Sequence, residues 1–176
     1  MTTIARERTA ISRSKVSAPT KWAEENGHLG KRVYDWGCGK GKDSDWMTKK
    51  DHTVFPHDPF HFPGNDPKTM NFSKINTIIC NYVLNVIEIP EEREALLRQI
   101  RDTGVDTIII SVRSDVETNA QKAGWERYAD GYVTSQNTFQ RNYTLKDVEN
   151  MEEIMGHASV IKRVSGGIVA VFHPNS

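Results

Sequence analysis

The stretch Val33-Tyr34-Asp35-Trp36-Gly37-Cys38-Gly39-Lys40-Gly41 constrains this chain more than any other. An apolar run with an acid near its end passes straight into three alternating glycines, and Lys42-Asp43-Ser44-Asp45-Trp46-Met47 then reads as the start of a helix. Glycine is needed where a backbone turns sharply out of a strand and lies against a ligand with no side chain between. The leading reading is therefore a small-molecule cofactor site; an ordinary glycine-rich strand-to-helix turn is the alternative. The spacing is G-x-G-x-G, not the G-x-G-x-x-G of dinucleotide-binding units, which weighs against a nicotinamide oxidoreductase.

The rest of the chain alternates strand and helix signals. A helix is expected over 18–26, stopped by Gly27, then a strand over 31–36, a short helix over 44–49 and a second strand over 53–56 that ends at Asp58-Pro59. Prolines make 57–66 a loop, and a third strand around 68–72 is brief or absent. Residues 75–80 and 106–112 are apolar runs of the kind buried on both faces of a parallel sheet. Between them Pro90-Glu91-Glu92 opens the clearest helix, with Ala95, Leu96, Leu97 and Ile100 as its buried stripe. Helices are expected over 114–123 and 144–156. The strands 159–163 and 168–172 meet across Ser165-Gly166-Gly167 as a hairpin. Such a chain is an α/β domain with a mostly parallel sheet and one antiparallel strand from the closing hairpin. Asp35, the glycine loop, Asp58 and Asn81 all fall at strand ends, where such sheets bind ligands.

The length of 176 residues suits a single domain over 18–176, preceded by a basic arm over 1–17 in which Arg6, Arg8, Arg13 and Lys15 face one acid, Glu7. That arm reads either as a solvated terminus or as a segment that touches phosphates. With 23 basic and 23 acidic side chains, net charge does not forecast a broad nucleic-acid surface. No apolar run approaches the roughly 18 residues of a membrane span, and the polar first residues make a cytoplasmic setting the default. Cys38 and Cys80 read as small buried residues rather than nucleophiles. His57 and His61 lack a third ligand at suitable spacing, so no metal is expected.

Asp35-Trp36-Gly37-Cys38-Gly39-Lys40-Gly41, the acid Asp58 and the terminal hairpin together resemble class I S-adenosylmethionine-dependent methyltransferases, which implies a Rossmann-like sheet. Four segments resemble more narrowly the DNA phosphorothioation-associated methyltransferases: residues 8–13 (RTAISR), the glycine loop, 82–87 (YVLNVI) and 134–141 (TSQNTFQR). One departure is Asn137, where that family usually carries glycine. The resemblance implies S-adenosyl-L-methionine as cofactor. Gly37, Cys38, Gly39 and Gly41 would pass its methionine part, Asp35 would orient the loop, and Asp58, with Pro59 beside it, would accept bonds from the ribose hydroxyls. Asp58 also reads simply as a turn acid before proline. Asn71 or Phe72 would meet the adenine.

Asn81-Tyr82 is the pair best placed to face an acceptor, and Asn81 also borders the cofactor. An asparagine carbonyl can take an amine's hydrogen bond and tyrosine can stack on a base, although a packing role for Tyr82 is equally open and the Pro-Pro of amino-methylating motifs is absent. The polar run 134–143 is either a substrate loop or a connection anchored by Phe139 and Tyr143. The implied activity is methyl transfer to nucleic acid or a nucleotide-like substrate, with a partner protein for target recognition as an option in so short a chain. A non-catalytic cofactor-binding module or inhibitor, or an enzyme that consumes the cofactor without a methyl acceptor, are the alternatives.

Overall fold

The structure is a computed structural model describing residues 3–176; residues 1 and 2 of the expected arm lie outside the described residues. The strands are β1 (Arg32–Trp36), β2 (Thr53–His57), β3 (Thr77–Asn81), β4 (Thr107–Arg113), the short β5 (Glu126–Tyr128), β6 (Gly131–Val133) and β7 (Phe139–Gln140), then β8 (Ala158–Val164) and β9 (Gly167–Phe172). The helices are α1 (Ala18–Glu25), α2 (Lys42–Lys49), α3 (Pro90–Arg101), α4 (Val116–Ala123), α5 (Leu145–Asn150) and α6 (Glu152–Met155). A six-stranded sheet runs in the order β2-β1-β3-β4-β9-β8. Its first four strands are parallel, and β9 pairs antiparallel with β4 and β8.

Both faces of this sheet are buried, which explains the unbroken apolar runs. Ile78, Ile108, Ile110, Ala170 and Phe172 pack on one side, and Ile79, Ile109, Val169 and Val171 on the other. Each strand feeds both clusters by alternation, as a sheet covered by helices on two sides requires. Strand β1 is flanked by β2 and β3, so the chain winds outward one way and then crosses to the other. That reversal opens a crevice beyond the carboxyl ends of the strands.

α3 begins with Pro90 and the acids Glu91 and Glu92 and ends with Arg98 and Arg101, complementing its dipole. Leu97 and Ile100 are buried as the periodicity predicts, but Ala95 is exposed and Arg93 takes a buried place. Arg93 is tolerated there because it pairs bidentately with Asp130 at 2.6 and 2.8 Å and donates its Nε to the Ile87 carbonyl at 2.7 Å. This ties α3 to a second, three-stranded sheet of order β5-β6-β7, which the sequence does not announce.

The third strand, expected around 68–72 as brief or absent, is absent: the Asp66 side chain accepts from Lys68 N, its carbonyl accepts from Thr69 N and Met70 N, and a 3-10 turn follows at Phe72–Lys74. Local polar hydrogen bonds there outcompete sheet pairing. The last helix starts at the expected Thr144, through a reciprocal cap with Asp147, but divides into α5 and α6 at Met151. Among the described residues no helix is long and apolar enough to cross a membrane.

Candidate functional site

The glycine loop leaves β1 with Gly37, Gly39 and Gly41 at φ of 73°, 56° and 84°, a region that costs side-chain-bearing residues strain. Gly37 N and Cys38 N both donate to the His57 carbonyl, at 2.8 and 2.9 Å, so the turn is pinned to the end of β2. The glycines are also demanded by neighbouring protein. A Cβ on Gly37 would lie 2.4 Å from Val83 Cγ2, one on Gly41 2.9 Å from Phe62 Cζ, and one on Gly39 3.3 Å from Ala10 Cβ. Burial pushes the Cys38 thiol well up, so it is not a thiolate.

Three carboxylates gather around this loop. Asp35 is 2% exposed and accepts the Ser44 hydroxyl at 2.6 Å; burial foremost, with Asp43 and Asp58 nearby, pushes it up to about 7. Asp58 Oδ2 accepts from Gly39 N at 3.2 Å, and its Oδ1 accepts from Phe60 N and His61 N at 2.9 and 3.0 Å. Asp43 at the start of α2 accepts from Ser17 N at 2.8 Å, from the Ser17 hydroxyl, from Thr20 Oγ1 at 2.8 Å and from Asn81 Nδ2 at 3.2 Å. Ser17, which precedes α1, thus gives its side chain to this acid rather than capping its own helix.

These groups border a cavity of about 360 Å³ at the carboxyl ends of the parallel strands, within the size range of small-molecule sites. Asp35, Gly37, Cys38, Gly39, Asp58, Pro59, Asn81 and Tyr82 line it. Gly41 does not, because it stands behind the loop as the residue before α2, facing Phe62. Asn71 is not in the wall either: it is exposed and its side chain accepts from Ser73 N to start the 3-10 turn. Phe72 sits away from the cavity in an aromatic cluster, 4.9 Å from Tyr34 and 6.1 Å from Trp36 between ring centroids.

The sequence reading missed the far wall. Arg6, Thr9, Ala10, Ile11 and Arg13 all line the cavity, so the basic segment is no solvated tail. Arg6 donates to Glu88 at 2.9 and 3.1 Å and meets Glu92 at 2.9 Å; Ala5 N donates to Asn137 O, and Lys40 Nζ to Ser12 Oγ. The sequence signals were the excess of arginine and the family likeness of residues 8–13. Asn137 holds φ 58°, a conformation asparagine tolerates nearly as glycine does, so the loop keeps its turn. In the 134–143 run Phe139 and Tyr143 are buried anchors, Arg141 pairs with Asp130 and Asp147, and Gln140 reaches the cavity. Segments 8–13, 35–41, 82–87 and 134–141, distant in sequence, each contribute to the lining of this one cavity.

Asn81 Nδ2 donates to Thr20 Oγ1 at 2.7 Å and to Asp43, while its Oδ1 accepts from Ser111 at 2.8 Å. Its amide is thus engaged at both ends inside the protein. Tyr82 is held at φ 58°, which is unusual for a bulky residue. The Arg13 and Arg113 guanidinium carbons lie 5.4 and 5.3 Å from its ring centroid, and burial raises its phenol against the pull of those cations. Among the described residues no group of three or more His, Cys, Asp or Glu could hold a metal ion.

This winding, with its antiparallel β9 and a crevice at the glycine turn, defines a Rossmann-like methyltransferase fold. The chain is similar to the Burkholderia thailandensis 1,6-didemethyltoxoflavin-N1-methyltransferase, solved with 1,6-didemethyltoxoflavin and S-adenosylhomocysteine, at a TM-score of 0.62 and 16% identity over 96% of this chain and 78% of that one. It is similar to magnesium protoporphyrin IX methyltransferase from Synechocystis, solved with S-adenosylmethionine, at 0.55 and 16% over 86% and 74%. A third neighbour is the small RNA methyltransferase HEN1, at 0.62 and 10% over 94% of this chain and 27% of that one. No protein-family model matches the chain, and no curated protein matches it by sequence.

Proposed function

We propose that the protein is an S-adenosylmethionine-dependent methyltransferase acting on nucleic acid or a nucleotide-like substrate. The observation that carries the reading is the Asp58 carboxylate fixed on Gly39 N at 3.2 Å beside the cavity, with Asp35 and Asp43 in the same wall. An acidic pocket with a bare backbone turn suits a ligand that carries a sulfonium, an ammonium and a ribose, so the residues fit the cofactor. When bound, it supplies an activated methyl group, and the protein's part is positioning and desolvation. Asp58 would hold the ribose hydroxyls, the Gly37–Gly39 backbone would lie along the amino-acid part, and the arm from Arg6 to Arg13 would exclude water. Asn81, committed to Asp43, Thr20 and Ser111, would position the wall rather than handle a proton.

The substrate half draws on the narrower resemblance to the DNA phosphorothioation-associated methyltransferases. All four segments that carry it border the cavity, and one structural neighbour acts on small RNA. Calorimetric titration with S-adenosylmethionine tests the cofactor assignment, and no binding by a folded sample would sink it. The engaged amide of Asn81 favours a second reading, a cofactor-binding module without transfer. It predicts binding without appearance of labelled methyl in DNA, RNA or nucleotides.

A further inference from the structure

The cavity's acids lie by the glycine loop, whereas the wall around Tyr82 is cationic. Arg113 is neutralised there by Asp115, with Nε and Nη2 donating at 2.9 and 2.8 Å. Arg6, further along the arm, is neutralised by Glu88 and Glu92. Arg13 has no acidic partner within ion-pair distance among the described residues, although it is half-buried. Its guanidinium instead rests over the Tyr82 ring, which a second cation, Arg113, also approaches. A guanidinium over an aromatic face keeps its N–H edges available for a two-point bond to an oxyanion. Arg13 thus stands as an unpaired cation close to an ion-paired one, and an anionic ligand would bring its counter-charge. The left-handed backbone of Tyr82, imposed on a bulky side chain, keeps the ring in that position.

We propose that Arg13, held over Tyr82 beside Arg113, is a phosphate-binding subsite for the methyl acceptor, so that the acceptor carries a nucleotide phosphate within reach of the arm. This rests on the methyltransferase reading of the same cavity and adds to it what the acceptor must carry. Arg113, bound to Asp115, borders the subsite, and Arg13 supplies the free donors. The arm then has two tasks, to cover the cofactor and to bring the acceptor's charge to the reacting end.

The test compares binding of the four 5′-mononucleotides, their nucleosides and a mixed-sequence single-stranded 12-nucleotide DNA, with and without S-adenosylhomocysteine. Nucleotides should bind about tenfold or more tightly than nucleosides. Arg13→Ala and Arg13→Glu should abolish that preference, while Arg13→Lys keeps part of it; thermal melts check that each variant folds. Tighter binding of the strand assigns a nucleic acid, and equal binding assigns a free nucleotide, both within the proposal. Equal affinity for nucleotide and nucleoside, no binding of either, or an unchanged preference in Arg13→Ala would overturn it. If S-adenosylhomocysteine fails to bind while the phosphate preference persists, the methyltransferase reading falls and the anion subsite stands.

Discussion

The Ser44 hydroxyl donates to the buried carboxylate of Asp35 at 2.6 Å, joining the end of β1 to the first turn of α2 across the glycine loop. Burial outweighs this bond and leaves the acid at about 7 in the folded protein, against about 3.9 in an unfolded chain. Between about pH 4 and pH 7 the folded state therefore holds a proton that the unfolded chain has released, and stability falls as pH rises through that window. Asp35→Asn keeps an acceptor for Ser44 and removes the titration. Its melting temperature should stay level from about pH 5 to pH 8 while that of the parent declines. A parallel decline in both proteins would place the titration on another group.

Gly37 is required by Val83 as well as by its own backbone. Gly37→Ala combines φ of 73° with a Cβ 2.4 Å from Val83 Cγ2, and should lower stability by about 2 kcal/mol or more. Adding Val83→Ala should recover part of that loss, leaving the strain of the left-handed backbone. Denaturant unfolding of Gly37→Ala, Val83→Ala and the double variant measures it. A Gly37→Ala protein as stable as the parent would mean that this glycine serves only ligand approach.

Arg6 straps the arm to the segment before α3 and to its first turn. With the side chain 40% exposed, the pair is screened, and Arg6→Ala should cost global stability no more than about 1 kcal/mol. The local effect should be larger, because few other bonds hold residues 5–13. Trypsin should cut after Arg8 and Arg13 several times faster in the variant, and added salt should move the parent the same way. An unchanged cleavage rate would show that the arm is held by its other contacts, such as Ala5 N to Asn137 O and Lys40 Nζ to Ser12 Oγ, rather than by Arg6.

The legible parts were those with a short-range signature. The runs of β3, β4 and β9 are continuous because both faces are covered, and the glycine loop, Asp58 and Tyr82 sit just after β1, β2 and β3. Strands β5, β6 and β7 are two or three residues long, too short for alternation to register. The Asp43–Ser17–Thr20–Asn81–Ser111 network joins residues up to 61 apart for a direct bond, and Arg13 meets Tyr82 only after folding. Asn71 misled for the opposite reason: its side chain found a local partner in Ser73 N.

Asp58 has two duties that substitution can separate. One carboxylate oxygen organises its own turn through Phe60 N and His61 N, and the other faces Gly39 N and the cavity. Asp58→Ala removes both and should weaken S-adenosylmethionine binding by about 1–3 kcal/mol while also lowering the melting temperature. Asp58→Asn retains an oxygen for the turn but turns an NH2 toward Gly39 N, a donor against a donor. It should therefore lose cofactor affinity nearly as Ala does and keep more of the stability. Calorimetric titration and thermal melts on the two variants separate these effects. If both bind the cofactor like the parent, Asp58 is an acid of the turn alone, and the ribose must be held by another part of the wall.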